Sequence, residues 1–393
     1  MARSRTIIVA GAGIGGLSAA LALARAGFRV VILEQAMRRE EAGAGIQLSP
    51  NATHVLRGLG VLHLLRPYTV APDAIRLIRA KSGRDIVRIP LGAAAEQRYG
   101  APYWVIHRAD LQRGLTRAIE QSADIMLQLG ARAEDFAIHP HGVTVQVRTA
   151  QGLRDEQGIA LIGADGLWST LRARLGDRTP PRFAQRIAWR AVVPAERVSG
   201  ELRDPVTALW LGRDAHLVHY PVKAGTMVNI VAIVRDDWHE PGWSVPGRPT
   251  DLLPRFEQFA PAARALLALP ESWQKWALFD RAPRRIRAQG PVTLLGDAAH
   301  PMLPFLAQGG AMAIEDAAVL ADCLRQDEDP VRAFHQYERA RHRRVAHAQR
   351  EARRNSSRYH LAGPLGFARN AALAALGPQR LLHRYDWLYG WRV

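Results

Sequence analysis

Residues 7–9 and 30–33 are unbroken apolar runs, and residues 16–26 between them carry Ala and Leu at helical spacing. The pattern predicts two buried strands joined by a helix, a βαβ unit. Further on the texture changes to short alternation, with Ile75, Leu77 and Ile78 followed by Ile86, Val87 and Ile89. A period of two predicts strands that bury one face. Residues 110–121 return to helical periodicity, 143–147 alternate again, and 160–162 form an apolar run that feeds Gly163. From about residue 182 to 279 strands dominate, at 187–193, 207–211, 215–220 and 227–234, and Trp and Pro are frequent. Residues 292–295 predict another buried strand and 309–324 a helix. The tail from Val331 is largely helical, with an interruption at Gly363-Pro364. It closes on Tyr385, Trp387, Tyr389 and Trp391, an aromatic set expected to pack as a C-terminal plug.

At 393 residues the chain is long enough for more than one core. Its 48% hydrophobic and 23% charged residues are an ordinary balance for a soluble protein. No apolar run approaches the roughly 20 residues of a transmembrane helix. The run after Met1-Ala2-Arg3-Ser4-Arg5 is too short for a secretory signal and breaks into glycines. The single cysteine, Cys323, excludes an intrachain disulfide framework and suits a reducing cytoplasm; its helical context predicts a small buried apolar role. The net charge of +17 is carried mostly by arginine and is densest between residues 339 and 358. Such a block is either a nucleic-acid footprint or a solvated helix face. No nucleic-acid motif accompanies it, and Phe334, Tyr337 and Val345 supply the apolar side of a helix, so the solvated face is expected. The same field would steer an anionic substrate and an anionic nicotinamide cofactor.

Three stretches carry candidate chemistry. Gly11-Ala12-Gly13-Ile14-Gly15-Gly16 follows the first strand, opens the first helix, and is answered by Glu34 at the end of the next strand. In that context Gly11 permits a tight turn, Gly13 lets the backbone approach a pyrophosphate, and Gly16 lets the helix pack on the strand. The helix N-terminus offers free N–H groups to the diphosphate. Glu34 can accept hydrogen bonds from a ribose diol, which favours FAD or NAD over NADP. The second stretch, Gly163-Ala164-Asp165-Gly166, follows a strand and by itself reads equally as a tight turn. The third is Leu294-Leu295-Gly296-Asp297-Ala298-Ala299-His300-Pro301, where a carboxylate at a strand's C-terminal end can bond a polyol. Gly309-Gly310 then open a helix with bare amides that can approach a flat ring carrying negative charge.

In this order and at these separations, the stretches resemble the nucleotide-binding signatures of the FAD-dependent aromatic hydroxylases, the single-component flavoprotein monooxygenases. The resemblance runs over nearly the whole chain. It implies an α/β fold with a Rossmann-like FAD-binding domain over residues 1–72, 100–181 and 280–330. A β-sheet-rich substrate domain, residues 73–99 and 182–279, would be inserted in it, and 331–393 would form a helical C-terminal region. FAD would be the cofactor, with NADH or NADPH binding transiently as co-substrate. Asp297 would bond the ribityl chain, Asp165 with Ser169 and Arg172 would serve FAD and the nicotinamide cofactor, and Arg108 would contact the diphosphate side. Gly45 and Gln47, in the loop Gly43-Ala44-Gly45-Ile46-Gln47-Leu48, would lie beside the flavin ring, and the Pro304 carbonyl would face it. The resemblance makes His300 a motif residue rather than a base. One cysteine cannot supply the pair that a pyridine-nucleotide disulfide reductase needs.

Hydroxylation of an aromatic ring needs a base or acceptor near the ring hydroxyl. If His216-Leu217-Val218-His219-Tyr220-Pro221 is a strand, His216, Val218 and Tyr220 share one face and His219 takes the other. The spacing resembles the 3-hydroxybenzoate 6-hydroxylase and 6-hydroxynicotinate 3-monooxygenase branch, where a His and a Tyr four residues on act on the substrate hydroxyl. His216 is therefore the expected base and Tyr220 its partner. The glutamine that a 3-hydroxybenzoate 6-hydroxylase would place at Pro304 is absent, and Pro304-Phe305-Leu306-Ala307-Gln308 looks more like salicylate-hydroxylase-like and hydroxynicotinate-type sequences. The function expected is FAD-dependent hydroxylation of a small aromatic acid with NAD(P)H and O2, through a flavin C4a-hydroperoxide, with or without decarboxylation. Two alternatives stay open: a flavin-dependent reductase or epoxidase on a less polar substrate, and a regulatory protein that uses the arginine-rich helix. No metal and no nucleic acid is expected as a partner, and nothing in the chain rejects a homodimer.

Overall fold

The computed structural model describes residues 5–38, 44–240, 244–285 and 288–393; Gly43 of the 43–48 loop lies outside them. The βαβ unit forms from strand Thr6–Ala10, helix Ile14–Arg25 and strand Arg29–Glu34. These strands belong to a parallel five-stranded sheet in the order Val292–Leu294, Ala160–Gly163, Thr6–Ala10, Arg29–Glu34, Ile125–Leu129. Both faces are covered, so every strand residue needs a partner. Ile7, Val9, Val30 and Ile32 meet helices Ile14–Arg25, Arg108–Glu120 and Gly309–Gln326. Ile8, Ala10, Val31 and Leu33 meet a three-stranded antiparallel sheet built from Arg132–His139, Gly142–Thr149 and Gly152–Gly158. Two-sided burial explains why these strands read as apolar runs rather than as alternation.

The second layer is an eight-stranded mixed sheet. Its order is Val245–Gly247, Trp273–Asp280, Arg182–Pro194, Met227–Arg235, Ala215–Val222, Val206–Leu211, Ala74–Arg79, Asp85–Pro90. The alternating pair near residue 75 joins it through a parallel pairing of Ala74–Arg79 with Val206–Leu211. One face buries Ile187, Trp189, Leu217, Ile230 and Ala232 under the helix Pro261–Ala268. The other face carries Ala188, Val192, Val218, Tyr220 and Ile233, and turns toward Tyr103, Phe305, Tyr359 and Tyr389.

Helix Pro330–Tyr359 runs for 30 residues, roughly 45 Å, along this assembly. Phe334, Tyr337 and Val345 lie on its buried side as expected. Within 339–358 the expectation that the arginines form a solvated face holds for Arg339, Arg343, Arg350, Arg354 and Arg358. Arg341 is buried and Arg344 half-buried, because the preceding helix presents Glu315 and Asp316 to them. Cys323 is half-buried rather than buried, and burial pushes its thiol up to about 11. The tail breaks over 360–362, just ahead of the expected Gly363-Pro364, which instead open the next helix, and again at Gly377, where φ is +72° ahead of Pro378. The aromatic plug is packed: Arg344 donates to the carbonyls of Trp387 and Leu388 at 2.6 and 2.9 Å, and His347 stacks on Trp387 at 4.0 Å.

Candidate active site

The three signatures meet at the C-terminal edge of the parallel sheet. Gly11 has φ +111°, and a Cβ there would lie 2.4 Å from the Ala164 carbonyl oxygen, so first and second signatures touch. A Cβ on Gly15 would lie 2.7 Å from Leu295, which ties in the third. A Cβ on Gly16 would lie 1.9 Å from the Gly11 carbonyl oxygen, the tight helix–strand contact that its position implies. Gly13 differs: nothing stands within 4 Å of its Cβ position, and no side chain caps the helix that starts beside it. The N–H groups of that first turn have no side-chain cap, and an anion there would be stabilised. Glu34 accepts from the N–H groups of Ala12 at 2.7 Å and Ala36 at 2.9 Å, and its carboxylate retains acceptor sites. Asp165 accepts from Thr170 and Leu171 N–H groups at 2.9 and 3.2 Å through one oxygen, while its other oxygen is buried without a partner. Burial pushes its carboxyl up. Arg172 bridges onward to the third signature, donating to the Ala298 and Ala299 carbonyls at 2.9 and 2.7 Å.

Asp297 lies deep in the fold yet its side chain is exposed, the mark of a group lining an internal cleft. Burial raises its carboxyl, opposed by the charges of His300 and Arg108. Arg108 opens its helix, is held down by burial, and is favoured in its charged form by Asp297. The Gly309 Cβ position stands 3.9 Å from the Asp297 Oδ1, and that of Gly310 stands 2.8 Å from Ile46. The 44–48 loop therefore closes on the start of helix Gly309–Gln326. The Pro304 carbonyl accepts from Ala307 N–H at 3.0 Å in a tight turn. His300 Nε2 sits 2.5 Å from Asp316 Oδ2, and Arg341 Nε donates to Asp316 Oδ1 at 2.6 Å. Burial raises Asp316, but His300 and Arg341 outweigh it and hold the carboxyl well below the usual range. His300 is thus locked to a carboxylate.

The face of the eight-stranded sheet that carries His216 and Tyr220 is arranged in rows by its register. Ala188, Ile233 and His216 are aligned across three strands, then Arg190, Val231 and Val218, then Val192, Asn229 and Tyr220. His216, Tyr220, Ile233 and Asn229 are buried, while Arg190, Val231 and Val218 of the middle row all retain exposed surface. The middle row is the floor of an opening flanked by His216 and Tyr220. The Gly45 N–H donates to Asn229 Oδ1 at 2.6 Å, and a Cβ on Gly45 would lie 2.5 Å from the Tyr220 ring. The 44–48 loop is thus in direct contact with the strands that carry Tyr220 and Asn229. Tyr103 donates to Gln47 Oε1 at 2.5 Å beside them. Burial pushes the Tyr220 hydroxyl well above its ordinary value, against the opposing pull of Arg190 and Gln47.

His216 is 2% exposed, and its Nδ1 lies 2.8 Å from His360 Nε2. His360 Nδ1 lies 2.6 Å from the Ser356 carbonyl, which can only accept. Nδ1 of His360 therefore carries the proton. Arg186 also approaches that nitrogen, at 3.4 Å, but both groups would be donors there, and the short carbonyl contact decides. Burial holds His360 at about 4, so it is neutral and its Nε2 accepts from His216 Nδ1–H. Burial, then His360 and Arg186, hold His216 well below 6.5. It is neutral too, with the lone pair on Nε2, and among the described residues no hydrogen bond reaches that atom. Phe305 and Tyr359 flank the ring at 5.4 and 5.5 Å between centroids. His219 takes the opposite face, accepts the Trp210 N–H at 3.2 Å, and is held by burial at about 3.

Residues 4–352 match a family described as an FAD binding domain. A 3-hydroxybenzoate 6-hydroxylase of Aquipseudomonas alcaligenes is 38% identical over 385 residues, spanning 98% of this chain and 97% of its own. The chain belongs to the FAD-dependent aromatic hydroxylases. A 6-hydroxynicotinate 3-monooxygenase of Bordetella bronchiseptica is 35% identical, spanning 89% of this chain and 91% of its own. The solved structure of Klebsiella pneumoniae HpxO with FAD and uric acid aligns with a TM-score of 0.85 at 28% identity, over 96% of this chain and 95% of that one.

The hydroxylase takes FAD as its cofactor and NADH or NADPH as co-substrate. Its residues fit that group on their own terms: an uncapped helix start beside Gly13, an exposed carboxylate deep in a cleft at Asp297, and glycine amides opposite Ile46. Among the described residues no three His, Cys, Asp or Glu side chains are placed to hold a metal, and no helix is long and apolar enough to cross a membrane. The three contiguous stretches singled out in the sequence lie together at the edge of the parallel sheet. Sequence reasoning missed Arg190, Asn229, Tyr103 and His360, which reach the site from four separate segments. For Arg190 a signal exists in the sequence: a lone charged residue within the apolar run 187–193.

Proposed function

We propose that this hydroxylase inserts one oxygen atom into a small aromatic acid bearing a ring hydroxyl, of the hydroxybenzoate, salicylate or hydroxynicotinate type. The observation that carries it is the Nε2 lone pair of neutral His216, held beside an opening whose other flank is Tyr220. Bound FAD, reduced by NADH or NADPH, supplies activated oxygen from O2 to the ring. His216 accepts the hydroxyl proton at Nε2, which raises the electron density of the ring, and Tyr220 stays protonated and hydrogen-bonds the same region. Phe305, Tyr359 and Tyr103 keep water from the reacting ring. Gly11, Gly13, Gly15, Gly16 and Glu34 receive the ADP half of the cofactor. Arg108 and Asp165 take the diphosphate side, Asp297 the ribityl chain, and Gly45, Gln47, Pro304, Gly309 and Gly310 surround the flavin ring. We assign residues 1–72, 100–181 and 280–330 to cofactor binding, 73–99 and 182–279 to the substrate, and place the enzyme in the cytoplasm.

The relatives are named for hydroxybenzoate and hydroxynicotinate, which fits a hydroxyl and a carboxylate on one small ring. The test is NADH and NADPH oxidation by the purified FAD-loaded protein, with and without salicylate, 3-hydroxybenzoate and 6-hydroxynicotinate, with product mass recorded. Oxidation stimulated by one acid and a product heavier by one oxygen is expected; salicylate would instead exchange carboxylate for hydroxyl if decarboxylation accompanies the step. Flavin binding with no stimulation by any acid would move the substrate outside this class.

A further inference from the structure

Arg190 sits in the half-exposed middle row, level with Val231 and Val218 and between the rows of His216 and Tyr220. Its guanidinium carbon stacks 3.6 Å from the ring centroid of Trp276 on the neighbouring strand. Stacking fixes the plane of the fork but satisfies none of its five N–H groups. Among the described residues no carboxylate and no hydrogen bond meets Arg190, and its Nε is buried without a partner. Arg341, Arg344 and Arg353, by contrast, each hold a carboxylate, and Arg186 on the same face, though its Nε is also unpartnered, donates to the Gln185 carbonyl at 3.2 Å. A cation kept deep in a protein without an anion is costly, so its retention beside an opening marks an anion site. The cofactor diphosphate already has the uncapped helix at Gly13 and the Arg108 side. Arg190 instead shares its sheet face with His216 and Tyr220, over an apolar floor of Val218 and Val231.

We propose that Arg190 is the carboxylate anchor of the substrate: its fork takes both oxygens of the acid while the ring lies on Val218 and Val231 and the ring hydroxyl meets His216. Planar two-point pairing suits a carboxylate and gives a fixed ring orientation, which a lysine cannot reproduce. Burial, and the second cation Arg108, pull the Arg190 charge down to about 9, against the favourable pull of Tyr220. A bound carboxylate relieves that. The assignment rests on the aromatic-acid substrate proposed above.

The test is a binding titration, read from the flavin absorbance of the FAD-loaded enzyme, and needs no turnover. The probes are 3-hydroxybenzoate, salicylate and 6-hydroxynicotinate, each against its carboxamide. In the unaltered enzyme at least one acid should bind at least about tenfold tighter than its amide. Arg190→Met, which keeps an apolar chain over Trp276, should weaken that acid by roughly 30- to 1,000-fold and its amide by less than about threefold, with FAD content unchanged. Should the methionine variant not fold, Arg190→Lys serves, with a smaller loss that is again confined to the acid. Equal weakening of acid and amide, no weakening, loss of FAD, or an unaltered enzyme that prefers no acid to its amide would each overturn the assignment. If acids bind through Arg190 yet none stimulates NADH or NADPH oxidation, the anchor stands and the hydroxylation substrate proposed above fails separately.

Discussion

Helix Pro330–Tyr359 meets two buried polar regions, and they are built differently. Near its middle, Arg341 and Arg344 close on Glu315 at 2.7 Å and Arg341 on Asp316 at 2.6 Å. Asn51 bonds the same Glu315 at 2.6 Å, and Ser49 and Gln308 complete the set. Each of these charges has its counter-charge. At the helix end, His360 meets His216, with Arg186 beside them and Arg190 further along the face. There Arg186 and Arg190 each keep a buried Nε without a partner, and His216 keeps a free lone pair. A closed network holds elements together, while an open one in a cleft is poised for something that binds. Charge alone does not distinguish scaffold from site; the count of unsatisfied groups does.

Removing His216 should break the open region's chemistry and leave its architecture. His216→Gln is expected to lower kcat by about 100- to 10,000-fold, with FAD content unchanged. A loss under about fivefold would remove His216 as the base. In the closed region the loss should be of stability instead. Arg341→Met leaves Glu315 to Arg344 and Asn51 and Asp316 to His300 and the Gly296 N–H, so it should lower the unfolding free energy by about 3 kcal/mol, the lower end for breaking a buried pair, measured by urea denaturation. An unchanged midpoint would mean the network contributes little.

His360 is a positioning residue, and its variants sharpen the contrast. His360→Leu leaves His216 Nδ1–H without an acceptor and should lower kcat by about tenfold, while His360→Gln, whose amide oxygen can accept, should restore most of it. A purely packing role predicts the reverse, since leucine is the apolar choice. The pH dependence gives the smallest effect. His219 and His360 have folded values of about 3 and about 4, and His216 is also held low, so all are neutral in the fold. Once unfolded they take up protons below their ordinary value near 6.5, so the unfolded state binds more protons in the window from about 6.5 to 4. Stability from these groups is complete above that window and falls as pH drops through it, by at most about 1.4 kcal/mol per pH unit for each. His219→Gln, which can still accept the Trp210 N–H, should flatten the slope of unfolding free energy against pH by one such share. The acid limb of kcat should lie below pH 6.5, because His216 resists protonation; a limb above 7 would contradict its burial.

The cofactor half was legible because its chemistry is contiguous. Strand, glycine turn, helix and answering acid follow one another from Thr6 to Glu34, and Gly296-Asp297 and Gly163-Ala164-Asp165 repeat the strand-then-turn order. Period two also placed His216 and Tyr220 on one face and His219 on the other. The arginine-rich helix was misread in part because periodicity separates its two faces without saying what each will meet. Arg341 is an ordinary surface residue until Glu315 and Asp316 arrive from the preceding helix.

The sequence by itself determined the βαβ core, the three signatures and the two-sided pattern of the 215–220 strand, since local periodicity and backbone geometry act over a few neighbouring residues. Only the tertiary structure decided that Arg190 stands level with Val218, that His360 sets the tautomer of His216, and that Asn229 joins its strand to the 44–48 loop. Those relations depend on register between distant strands and on the burial of charge, whose free energy is fixed by the partner that another segment supplies or withholds.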